Sequence, residues 1–330
     1  MTRADAAAVI LWTGATLYAV FGGADFGAGL WDLVAGDAEK GARPRALIQR
    51  SLAPVWEANH VWLIFILVVL WTAFPEAFGA LMSTLYVPLA LAALGIVLRG
   101  AGFAFRKSVE SLQARRAMGA AFAISSVLTP FFMGTAVGAV AAGNVPADGN
   151  GDAFSTWIAP LPLLVGALFV TSGAYLAAVF LIADAREADL ERYFAHRALA
   201  AAVVAGVLAV AGIFALHDEA RYLYDRLTDQ ALPLVIVSGL CGIGVLALLL
   251  FAKAEKVSPV CRTPAMEEEF VLLEDSATQI FVWPSRHRLR VAKQSVFDRP
   301  SDEFVAKLIQ MNSVIGPLVL ELTFLFYLRP

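Results

Sequence analysis

Seven stretches of this chain carry apolar side chains for long enough to cross a bilayer as helices, and that constrains the fold most. They are Ala6–Val34, Leu52–Phe74, Ala77–Leu98, Ala117–Ala142, Trp157–Ala183, Ala198–Leu216 and Ala231–Ala252. A helix needs about 20 residues to span the hydrocarbon core, whereas a membrane strand needs only about ten. Within lipid, backbone N–H and C=O groups must be satisfied inside the segment, which long apolar runs achieve as helices. The composition agrees: 59% of residues are hydrophobic and 16% charged, against about half and a quarter in soluble domains. The expected fold is all-α, a polytopic transmembrane helix bundle.

Charge between the runs sets the expected orientation. The segments after the first, third and fifth spans carry Lys40, Arg43, Arg45 and Arg50, then Arg106, Lys107, Arg115 and Arg116, then Arg186, Arg192 and Arg197. Those after the second and fourth carry no Lys or Arg, and the one after the sixth only Arg221 and Arg226. Cytoplasmic loops retain the positive charge, so this alternation predicts an N-terminus outside. The first run follows a single Arg and lacks a small-residue cleavage site before a polar domain, so it reads as a span, not a removable signal. Residues 1–252 form the expected bundle, 253–310 a polar, atypical segment, and 311–330 a candidate last membrane helix holding Glu321 and Pro317.

Net charge of −3 and the lack of a basic patch with interleaved aromatics give no sign of a nucleic-acid partner. Two cysteines, Cys241 and Cys261, are too few for a disulfide framework or a cysteine metal site.

Against this apolar background a few polar residues stand out, because an ionisable group in hydrocarbon is costly and marks a functional site by default. The first span is interrupted by Gly22-Gly23-Ala24-Asp25-Phe26-Gly27-Ala28-Gly29, and the second opens with Pro54-Val55-Trp56-Glu57-Ala58-Asn59-His60-Val61-Trp62. Small residues let helices approach closely, which accounts for the glycines but not for Asp25. Nine residues separate Asp25 from Val34, roughly 14 Å along a helix, and five separate Glu57 from Leu52, roughly 8 Å. Arg99 closes the third span. Three ionisable groups thus gather toward the cytoplasmic side, the pattern of a proton path; a structural acid–arginine pair would give the same pattern. His60 shares a helix face with Glu57 and Trp56 and reads as a hydrogen-bonding or relay residue rather than a metal ligand. Trp56 and Trp62 read as packing and interface anchors.

These two motifs, together with Arg99-Gly100-Ala101-Gly102-Phe103, resemble subunit II of the cytochrome bd-type quinol oxidases. The second is similar to that family's Trp-acid-Gly-Asn-x-Val-Trp signature. The resemblance implies a nine-helix subunit paired with a haem-bearing subunit I, in a complex of the bacterial cytoplasmic (inner) membrane that oxidises quinol and reduces O2 to water. It implies haems b and d on the partner, no cofactor or metal bound directly here and no catalytic residue in this chain. It further implies a proton route through Glu57, Asp25, His60 and Arg99, an oxygen route near Trp62 and Trp56, and motif support from Asn59, Gly27 and Gly29. A structural quinone and a small single-helix third subunit stay open. The chain departs from the pattern in having Gly22 where the family usually has an acid, and Glu57 where Asp is commoner. After Ala252 the resemblance fades into a divergent tail, or a frameshifted or recombined end. The rival reading is a proton-coupled secondary transporter, whose broken helices would suit Pro130, Pro160 and Pro162 but for which no repeat is evident.

Overall fold

The structure, a computed structural model, describes residues 2–37, 39–52, 56–105, 111–229 and 231–254. Among these residues there are ten helices and no strand. They are α1 (Arg3–Leu33), α2 (Ala42–Leu52), α3 (Trp56–Ala73), α4 (Pro75–Thr84), α5 (Tyr86–Phe105), α6 (Leu112–Ala141), α7 (Pro160–Asp184), α8 (Ala188–Glu219), α9 (Arg221–Asp229) and α10 (Leu232–Ala254). Five helices, α1, α5, α6, α7 and α8, are long and apolar enough to cross a membrane, and the bent pair α3–α4 counted as one makes six. In α10 the apolar section is the shorter Val235–Ala247. The expected segment 311–330 lies outside the described residues, as does the polar segment from residue 255 onward.

Helix α1 begins with a reciprocal cap: the Thr2 hydroxyl accepts from the Asp5 N–H at 3.1 Å, and the Asp5 carboxylate from the Thr2 N–H at 2.9 Å. Such a cap satisfies two of the otherwise unpaired amides of a first turn. From there α1 runs unbroken through Gly22–Gly29, where an interruption was expected. The glycines mark close approach instead. A Cβ at Gly27 would fall 1.9 Å from the carbonyl oxygen of Gly173 on α7, so the two backbones meet directly. α1 packs against α3, α6 and α7, while α5 pairs with α6, α6 with α7, α7 with α8, and α8 with α10.

The third expected span is divided. A single helix over Ala77–Leu98 would place Pro88 in its interior, where it lacks an N–H and collides with the carbonyl four residues back. The chain avoids this by ending α4 at Thr84 and restarting at Tyr86, which puts Pro88 in a first turn. Pro75 likewise starts α4, after a Phe74 with non-helical φ −136° and ψ 59°, and α3 and α4 meet at an angle of 118°. The spanning element is therefore α5, and Arg99 does not close it. Arg99 lies six residues, roughly 9 Å, inside its C-terminal end.

Two connections expected as loops are helical. α2 lays Leu47 and Ile48 into the core beside Trp31, and α9 occupies much of the acidic connection after α8. Arg45 of α2 closes the C-terminal end of α1, donating to the carbonyls of Asp32, Gly36 and Asp37 and pairing its Nε with Asp32 at 2.9 Å. A cation on the exposed carbonyls of a helix end favours that helix.

Candidate functional site: a buried acid, amide and guanidinium

Asp25 is 2% exposed and faces the interior of the bundle. Its carboxylate accepts a hydrogen bond of 2.6 Å from the Asn59 side-chain amide, whose nitrogen also lies 3.4 Å from the Phe21 carbonyl. Asn59 stands in the first turn of α3, so the start of that helix is fastened to the middle of α1. A carboxylate away from water needs such donors, because leaving it unpaired costs far more than one hydrogen bond returns.

Arg99, also 2% exposed, reaches across from α5 and donates from Nη2 to the Asp25 backbone carbonyl at 2.9 Å. Its Nε donates to the Ser126 hydroxyl at 3.2 Å, and that hydroxyl in turn donates to the Phe122 carbonyl at 2.6 Å. The guanidinium lies 4.9 Å from the Phe26 ring centre and 5.3 Å from that of Phe122. A cation on aromatic faces gains about 2 kcal/mol or more once desolvated. Four helices, α1, α3, α5 and α6, thus contribute to one polar cluster.

The glycines make its geometry reachable. The residue four positions after a helical carbonyl usually shields it. Here that residue is Gly29, and a Cβ on it would fall 2.2 Å from the Ser126 Oγ. Likewise a Cβ on Gly95 would fall 2.2 Å from the Thr129 Oγ1, which allows α5 and α6 to lie together around Arg99.

His60, half-buried, turns toward α1, stacking on Phe26 at 5.9 Å and meeting Tyr18 edge-on at 6.2 Å. Among the described residues no three His, Cys, Asp or Glu side chains group as a metal shell. Trp62 lies edge-on to Phe65 of its own helix at 6.1 Å. Of the residues expected at the site, the structure therefore joins Asp25, Asn59 and Arg99, sets His60 beside them through Phe26, and places Gly29 under Ser126. Gly27 belongs to the α1–α7 contact. The side chains of Glu57 and Trp56 lie outside the described ones, although both residues begin α3.

The sequence reading missed Ser126, Phe26 and Phe122. The Ser125-Ser126 pair within an apolar run was a legible signal, but serine in a helix often only bonds its own backbone, as Ser125 does here with Ala121 at 2.6 Å. Chemically the cluster divides cleanly. A guanidinium keeps its proton in proteins, so Arg99 is a fixed cation, while the Asp25 carboxyl is a group that can take up and release one.

The fold and the site define a polytopic helical membrane protein with a buried, hydrogen-bonded acid in its interior. The chain belongs to the family of cytochrome bd terminal oxidase subunit II, whose model matches residues 4–285, beyond the boundary at 252 read from the sequence. It is 26% identical over 223 residues to the cytochrome bd ubiquinol oxidase subunit 2 of Bacillus subtilis (strain 168), covering 66% of this chain and 64% of that one. To the cytochrome bd-I ubiquinol oxidase subunit 2 of Escherichia coli (strain K12) it is 26% identical over 227 residues, or 64% of this chain and 57% of that one. The chain thus spans less than two thirds of the length of these two relatives. The solved bd oxidase from Geobacillus thermodenitrificans is similar with a TM-score of 0.58 and 27% identity over 76% of both chains.

Proposed function

We propose that this chain is the non-haem-ligating subunit II of a cytochrome bd-type quinol:oxygen oxidoreductase. It sits in the bacterial cytoplasmic membrane beside a subunit I that carries haems b and d. Its N-terminus lies outside, and its buried acids pass protons inward from the cytoplasm while the partner reduces O2 to water. Asp25 is the central carrier of that route, Glu57 its entry, His60 a flanking relay and Arg99 its fixed counter-charge. Trp62 and Trp56 border an oxygen route. Family membership supports the assignment and leaves the transporter reading without a supporting observation.

One observation carries the proton role: a carboxylate at 2% exposure, held by an amide 2.6 Å away and backed by a buried guanidinium. Burying such a group costs stability that a leucine would not, so its presence points to use. Asp25→Asn keeps the shape and removes the exchangeable proton. In the complex co-expressed with subunit I, oxygen uptake should fall by roughly a hundredfold, the low end of what proton-transfer groups contribute. Haem content should remain at the wild-type level. Wild-type uptake in a fully haem-loaded Asp25→Asn complex would remove Asp25 from the route.

A further inference from the structure

We propose that the Tyr18 hydroxyl relays protons between the Asp25 cluster and the membrane interior; this rests on the proton route proposed above. Tyr18 lies on α1 seven residues before Asp25, two helical turns or roughly 10 Å further from the cytoplasmic end. That spacing returns it to the same face of the helix. The side chain is buried, and its hydroxyl has no hydrogen-bond partner among the described residues. Buried hydroxyls are almost always paired with protein or ordered water, and an orphan calls for an explanation. Packing does not provide one, since a phenylalanine would fill the same space without stranding a polar atom.

The local geometry keeps the ring at the cluster. A Cβ on Gly22 would fall 2.7 Å from the Tyr18 ring, so the absent side chain at Gly22 is what lets the ring lie along α1. The ring meets His60 edge-on at 6.2 Å, and His60 stacks on Phe26, which carries Arg99 on its face. Tyr18 is also within electrostatic reach of both Asp25 and Arg99. A phenol oxygen both accepts and donates. Bridged by water, it takes a proton onto a lone pair from the Asp25 side and releases its own hydrogen to the next acceptor. The hydroxyl is regenerated and no net charge is left behind.

Tyr18→Phe removes the one oxygen atom and keeps the ring. In the haem-loaded complex, oxygen uptake should slow roughly fivefold, the effect of one lost hydrogen bond to a moving proton, and the ratio of rates in H2O and D2O should rise. Full haem content should be retained. A wild-type rate overturns the proposal, and so does a slowed rate with an unchanged isotope ratio. Failure to assemble would do the same, by giving the hydroxyl a structural task. Asp25→Asn measured in parallel separates the two claims: normal uptake there removes the route itself, whereas normal uptake confined to Tyr18→Phe removes only this extension.

Discussion

Helices α1, α5, α6 and α7 approach one another closely at glycines, whereas glycines of α8 and α10 meet no neighbour among the described residues. On the first set, added Cβ atoms at Gly27, Gly29, Gly95, Gly134 and Gly138 would fall within 3 Å of a neighbouring helix. At Gly206 and Gly212 of α8 and at Gly239 and Gly242 of α10, nothing among the described residues comes within 4 Å. The same residue type thus has two meanings. In the inner set it draws helices close enough for Arg99 to reach a carbonyl on α1. In the outer set its smallness is not used within the described chain, and α8 turns out Val203, Val207, Val210 and Phe214. Without a hydrophobic force between helices in lipid, close packing and interhelical hydrogen bonds hold a bundle together, so the polar cluster and the glycine contacts belong to the same inner region.

The sharpest way to break this contrast is Gly27→Val. Its side chain would have to enter the backbone of Gly173, so the cost should exceed the roughly 3 kcal/mol of ordinary overpacking. The expected outcome is little or no complex recovered from membranes by size-exclusion chromatography. Recovery at the wild-type yield would mean that α1 and α7 can separate freely. Next in size is Arg99→Met, which keeps the chain length and removes the cation from Ser126 and Asp25. Breaking a buried charged network costs roughly 3 kcal/mol or more, which should appear as a clear fall in the thermal unfolding midpoint of the detergent-solubilised complex. An unchanged midpoint would show that the guanidinium is not needed to hold α1, α5 and α6 together. The smallest effect is expected at Gly206→Ala, where helix propensity should stabilise by roughly 0.5–1 kcal/mol. A loss there instead would reveal a neighbour lying on that face of α8 in the assembled complex.

Much of the inner region was legible in the sequence. A carboxylate, an amide and a cation in three separate apolar runs point to one another, because none is affordable alone in lipid, and Asp25, Asn59 and Arg99 do meet. The limits of the third span were not legible by apolarity alone. Leu81 to Leu98 reads as continuous, and only the steric demand of Pro88 divides it at Leu85. The far limit was hidden as well: the apolar run stops at Leu98, which put Arg99 at a helix end, whereas α5 continues to Phe105 and holds Arg99 buried within it. The amphipathic α2 was hidden for another reason: Lys40, Arg43, Arg45 and Arg50 made the stretch read as a polar connection, while Leu47 and Ile48, two residues among many charges, carried its only sign of burial. Ser126 shows the remaining gap, since its partner Arg99 is distant in sequence and nothing local announces the pairing.

The meeting of Gly27 with Gly173 has a consequence for how this chain can change over time. Most helix contacts drift by exchanging a large residue on one side for a small one on the other. A seam made of main chain on both sides has nothing to exchange, so neither position can enlarge however its partner changes, and variation must collect around the pair.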